Sequence, residues 1–207
     1  MNFEILLGFV LSTAALAISP GPDNIYVLMQ SIVNGKKYGL ATVAGLITGC
    51  LVHTTLLAFG VSALIKENYT LFFTIKLFGA LYLFYLAYQV YKNKAALELK
   101  ASVAKKGVIQ LFKQGFIMNV LNPKVAIFFL AFFPGFLFSN SISTVVQFYT
   151  LGFLFMFVSA IIFSCIAILS ASIAKHIKEN AKIGKTLKWL QVYVFIAIGV
   201  YILLSEK

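Results

Sequence analysis

Asp23 and Lys124 place charge where the apolar sequence of this chain should run unbroken. Asp23 ends the stretch Ser19-Pro20-Gly21-Pro22-Asp23, and Lys124 ends Asn119-Val-Leu-Asn122-Pro123-Lys124. Proline removes an amide donor and clashes with the preceding turn, so each motif breaks a helix and frees backbone carbonyls. Lipid cannot satisfy such groups, and a break persists at membrane depth only beside a polar cavity. The half-helix that begins after Pro22 offers unpaired amides and the positive end of its dipole, a seat for a carboxylate. Asp23 caps that end or pairs with a cation, whereas Lys124 stands where the dipole disfavours a cation and requires an anionic neighbour. With the two facing each other, the site fits a zwitterion: carboxylate to Lys124 and backbone amides, ammonium to Asp23 and freed carbonyls. The candidate binding set is Pro20, Gly21, Pro22, Asp23, Asn119, Asn122, Pro123 and Lys124. The plainer alternative for either motif is a kinked helix packed on its neighbours, with Asn119 and Asn122 as local caps. Two breaks at matched places, each with an ionisable residue, favour the site.

The elements that must position these residues follow from composition. The 207 residues are 61% hydrophobic and 11% charged, with a mean hydropathy of +0.95, far more apolar than a soluble domain. Runs long enough to cross a bilayer, roughly 20 residues each, recur along the chain and exclude both a single anchor and a barrel of short alternating strands. They cover approximately Ile5–Val33 (with the break), Leu40–Ile65, Leu71–Tyr91, Gly115–Phe138, Val145–Ala174 and Leu187–Leu204. The expectation is an all-α polytopic membrane protein with six transmembrane helices. Each half holds three spans and opens on a Pro-broken helix, so the halves enter the membrane from opposite sides, as two inverted repeats. The whole chain, 1–207, reads as one transporter domain, with repeat one over about 1–92, a cytoplasmic linker over about 93–111 and repeat two over about 112–207. All 17 basic residues are lysines, set between the apolar runs rather than along a face that could follow phosphates. They report topology rather than nucleic-acid binding. They crowd after the first, third and fifth spans, which makes those connections cytoplasmic and puts both termini outside. Residues Ala95–Lys113 mix apolar residues with lysines and suit either an amphipathic helix on the anionic inner leaflet or a solvated loop.

His53 and Lys76 join Asp23 as candidates to carry a coupling proton. Imidazole titrates near neutral pH in water, but a buried histidine bonded to a carbonyl is the plainer reading. Lys76 either snorkels to the outer interface or serves in the interior. Gly45 and Gly49 form a small-residue face for close helix approach, within one subunit or between two copies in a homodimer. Tyr82, Tyr85 and Tyr88 recur at helical spacing and read as packing. Cys50 and Cys165 stand in corresponding spans without metal-ligand or disulfide spacing, so no metal and no cofactor is expected. A membrane thiol-disulfide oxidoreductase using these two cysteines is the alternative from another class; export of another small solute or a cation is the alternative within transport.

The residues resemble the lysine exporter (LysE/RhtB) family of bacterial amino-acid exporters over essentially the whole chain. The likeness is carried by Ser19-Pro-Gly-Pro-Asp23, Gly35-Lys-Lys-Tyr-Gly39, Ala44-Gly45-Leu-Ile-Thr-Gly49, Lys76-Leu-Phe-Gly79-Ala-Leu-Tyr82-Leu, and Gly115-Phe-Ile-Met-Asn119 through Asn122-Pro-Lys124 to Phe132-Phe-Pro134. Gly135 departs from the family pattern, where a larger polar residue is expected before Phe136. The resemblance implies a transporter rather than an enzyme, in the bacterial inner membrane, exporting amino acids or close derivatives by proton exchange.

Overall fold

The computed structural model describes residues 3–62, 69–92, 106–179 and 181–204. Every regular element among these residues is a helix, with no strand among them. The first apolar run is two helices, α1 (Phe3–Ile18) and α2 (Pro22–Asn34), meeting at 57°. Pro20 and Pro22 withhold two donors at the junction, and Gly21 between them is extended. Pro22 then opens α2 at the position where its missing donor costs nothing. The Gly35-Lys-Lys-Tyr-Gly39 turn depends on Gly35, whose φ of +103° disfavours any side chain, and leads into α3 (Lys36–Leu56), which ends in a π turn, Leu57–Val61.

After α4 (Tyr69–Lys92), the second half opens with α5 (Val108–Val120) and α6 (Pro123–Phe132), the latter extended by a 3-10 turn, Phe133–Phe136. The two meet at 52°. The segment expected to lie on the inner leaflet falls mostly on 93–105, outside the described residues; from Val108 onward it belongs to α5. The fifth apolar run divides: α7 (Thr144–Ile168) stops at Leu169, and α8 (Ser170–Glu179), which carries Lys175, is separate. The last helix, α9, spans Ala181–Leu204. Four helices are long and apolar enough to cross a bilayer by themselves, and counting each bent pair as one span gives six. Large apolar side chains such as Leu11, Phe78, Phe157 and Leu204 are exposed on the outside of the bundle, the surface lipid would cover.

Three sets of contacts join the first half of the chain to the second, each between segments that run antiparallel. Phe9 of α1 meets Phe132, Phe133 and Phe136, while Gly21, a dozen residues on, lies beside Lys124. Along α3, Val43 and Leu46 cluster with Ala167, and Thr54 lies against Gly152. Phe84 of α4 touches Gly199, and Tyr91 stacks edge-on to Trp189. The glycine face of α3 is used inside the chain: a Cβ on Gly45 would strike the backbone of Phe112, and Gly115 of α5 sits equally close to the backbone of Thr42. Phe128, Phe129, Phe132 and Phe133, stepping along α6 into its 3-10 turn, interlock with Phe9 and Phe155 in a buried aromatic cluster. The backbone carbonyl of Gly135 accepts a hydrogen bond from the Tyr201 hydroxyl at 3.0 Å.

Candidate functional site

At the first break, Asn24 holds the loosened backbone. Its Nδ2 donates to the carbonyls of Ala17 at 2.7 Å and Ser19 at 3.3 Å, which removes part of the cost of unsatisfied groups at membrane depth. At the second, Asn122 is the N-cap of α6, its Oδ1 accepting from the Lys124 amide at 3.0 Å. The other side of the same amide crosses to the first break: Asn122 Nδ2 donates to Asp23 Oδ2 at 3.1 Å. One side chain therefore caps one half-helix and orients the carboxylate on the other.

Lys124 makes the reciprocal crossing. Its Nζ lies 3.4 Å from where a Cβ on Gly21 would stand, so the bare glycine lets the ammonium approach the start of α2. The same Nζ sits 4.7 Å above the centre of the Phe195 ring of α9, a cation–π contact for a cation that its own helix dipole disfavours.

Gly21, Pro22, Asp23, Asn119, Asn122 and Lys124 line one cavity between the two breaks. Pro20 instead lines a second, apolar cavity beside α7 and α8, and Pro123 shapes the site only by opening α6. Asn24, Cys50, Phe128, Phe155 and Ser159 are among the other residues that wall this cavity. It is open to the centres of water molecules over about 50 Å³, room for a few waters at roughly 10–15 Å³ each. An amino acid needs its walls to part.

His53 stands behind the cavity, its Nε2 donating to the Asn119 carbonyl at 3.1 Å and its ring 5.5 Å from that of Phe129. This is the plainer of its two sequence readings, and it fixes the end of α5. Asn119 Nδ2 in turn points at Cys50 Sγ, 3.5 Å away, in space kept free by Gly49. Lys76 is buried within the bundle and lines neither cavity. Tyr85 and Tyr88 face outward. Both cysteines are free, Cys50 beside the polar cavity and Cys165 beside the apolar one.

Sequence reasoning missed Asn24, Ser159 and Phe195. Asn24 carried a usable signal, a short amide in the first turn of a helix that follows a break. A lone serine or phenylalanine in an apolar helix carries none, because its facing depends on how the spans pack.

The model of the LysE type translocator family matches residues 14–206. A homoserine/homoserine lactone efflux protein of Salmonella typhimurium (strain LT2) is 30% identical over 178 residues, 86% of each chain. Its namesake in Salmonella typhi is 31% identical over the same share. A protein of Vibrio cholerae described as an uncharacterized membrane protein is 25% identical over 86% of this chain and 87% of its own. No solved structure matches the chain.

Proposed function

The chain belongs to the LysE family, and from that premise we propose that it exports amino acids or close derivatives across the bacterial inner membrane in exchange for protons. The observation that carries the reading is the joining of two helix breaks by Asn122 and Lys124 around a cavity that holds one carboxylate and one ammonium. In this reading Lys124 and the free amides of α2 take the substrate carboxylate, and Asp23 takes its ammonium. Emptied of substrate, Asp23 takes a proton instead, which is the exchange. It is the coupling residue we favour over His53, engaged with the Asn119 carbonyl, and over Lys76, which stands away from the cavity.

Support for inverted repeats comes from the same contacts. Aligning Pro22 with Pro123 sets Asp23 on Lys124 and Gly21 on Asn122. The Asp23–Asn122 bond and the Lys124–Gly21 approach then become images of one another. A two-fold axis in the membrane plane generates such exchanged pairs, and antiparallel packing of counterpart spans suits it. With the lysine-rich connections in the cytoplasm and both termini outside, the aromatic cluster around Phe9 and Phe132 closes the outer side of the cavity. Rocking one repeat against the other would open it.

The test is export of labelled amino acids from loaded proteoliposomes with and without a proton gradient, comparing the native chain with Asp23→Asn at matched protein. Gradient-driven export in the native chain, reduced at least a hundredfold in Asp23→Asn, is the expected result. Movement of none of the amino acids by folded native protein would remove the reading.

A further inference from the structure

The apolar cavity beside α7 and α8 shares only Asn24 with the polar one between the breaks. It is open to the centres of water molecules over about 380 Å³, against about 50 Å³ for the other. Six isoleucines, three leucines and Pro20 form its walls, apart from Asn24 and Cys165. The Asn24 amide nitrogen is engaged with the Ala17 and Ser19 carbonyls, so a polar solute finds almost nothing to bond, and water lacks the partners it needs to stay. Ile18, Ile161 and Leu169 of the walls are about half exposed, which opens the cavity sideways onto the surface lipid would cover. Ile173 of α8 and Leu187 of α9 bring it to the densest run of lysines in the chain. Lys175, Lys178, Lys182, Lys185 and Lys188 stand there within fourteen residues, against the single acid Glu179, and Lys175 and Lys185 are exposed. An opening onto hydrocarbon with cations on the helices that wall it fits an amphiphile with an apolar tail and an anionic head. A second copy of the chain fits poorly, because a two-fold contact through this face would set one lysine run against the other.

We propose that this cavity seats an acyl chain of an anionic phospholipid, whose headgroup phosphate rests among the lysines of α8 and α9. The tail lies against Pro20 and Ile25, with Asn24 between it and the polar cavity. The lipid thereby braces the first helix break from outside.

Dioleoyl phosphatidylglycerol and dioleoyl phosphatidylcholine, which share their tails and differ in head charge, are the probes. The purified full chain is titrated with each in detergent, and the Kd of the first bound lipid is read from native mass spectra. The native chain should bind phosphatidylglycerol roughly five- to thirtyfold more tightly, the worth of one to two lysines beside an anionic head. Lys175→Gln combined with Lys185→Gln should bring the two lipids close to equal, whereas Lys36→Gln combined with Lys37→Gln, in another lysine-rich connection, should keep the preference. Cys165→Trp, which puts a ring into the cavity, should weaken both lipids roughly tenfold, the worth of about two buried methylenes. Ile162→Phe replaces it if the tryptophan variant fails to fold. Equal binding of the two lipids by the native chain, a preference that survives the α8 and α9 substitutions, or native affinity with the ring in place would overturn the seat. So would a dimer without bound lipid that the ring disperses, which would give the face to a second copy. Because the spectra report binding alone, these outcomes leave the export reading in place, and a failure of export leaves the seat standing.

Discussion

Lys124 and Asp23 share a narrow cavity, yet each is held by something else: Lys124 over the Phe195 ring and Asp23 by the Asn122 amide. In the proposed export reading, such holding keeps two opposite charges available to a zwitterion rather than closed upon each other. A desolvated cation–π contact is worth about 1–2 kcal/mol. Replacing Phe195 with leucine should therefore free Lys124 to move toward Asp23 and raise the KM for export roughly five- to thirtyfold, while Phe195→Tyr should stay near native. An unchanged KM in the leucine variant, read in the same proteoliposomes, would show that the ring only fills space. Asp23 is the one aspartate of the chain and stands in a Pro-Gly-Pro break, so its place at the break is legible without coordinates. The partner on α9 is not, because nothing near Phe195 distinguishes it from the 20 other phenylalanines.

The breaks themselves are local chemistry. Proline without a donor, an extended Gly21 and an asparagine cap are enough to end one half-helix and begin the next, and α2 and α6 open at Pro22 and Pro123 as the sequence indicates. What holds the bent pairs in place is the approach of α3 to α5, where Gly45 and Gly115 let backbones touch. Small residues at such crossings replace the hydrophobic drive that lipid does not supply. Gly45→Leu should force these helices apart at the Phe112 carbonyl, at a cost of about 1–3 kcal/mol or more. The measurement is the melting temperature of the purified protein in detergent, which should fall by several degrees. Gly60, with open space around it, should tolerate alanine. The division of the fifth run into α7 and α8 was not legible, because Val145–Ala174 is continuously apolar and ends in a turn that tertiary contacts set.

For the whole molecule, charge placement and packing address different questions. The alternation of lysine-rich and lysine-poor connections assigns sides of the membrane, and the structure supplies exposed positions that test it. In a chain without Cys50 and Cys165, a membrane-impermeant maleimide added to intact cells should label Ser141→Cys, between α6 and α7, and leave Lys36→Cys untouched until the membrane is opened. The opposite pattern would invert the orientation and place the phenylalanine cluster on the cytoplasmic side. By itself the sequence determined the membrane setting, the two breaks and the residues standing at them, because hydropathy, proline chemistry and motif are properties of short stretches of chain. Only the tertiary structure decided that Asn122 reaches Asp23, that Lys124 reaches Gly21 and Phe195, and that Ser159 faces the cavity. Those contacts join residues about seventy to a hundred positions apart or depend on the rotation of a uniformly apolar helix, and no local pattern encodes either.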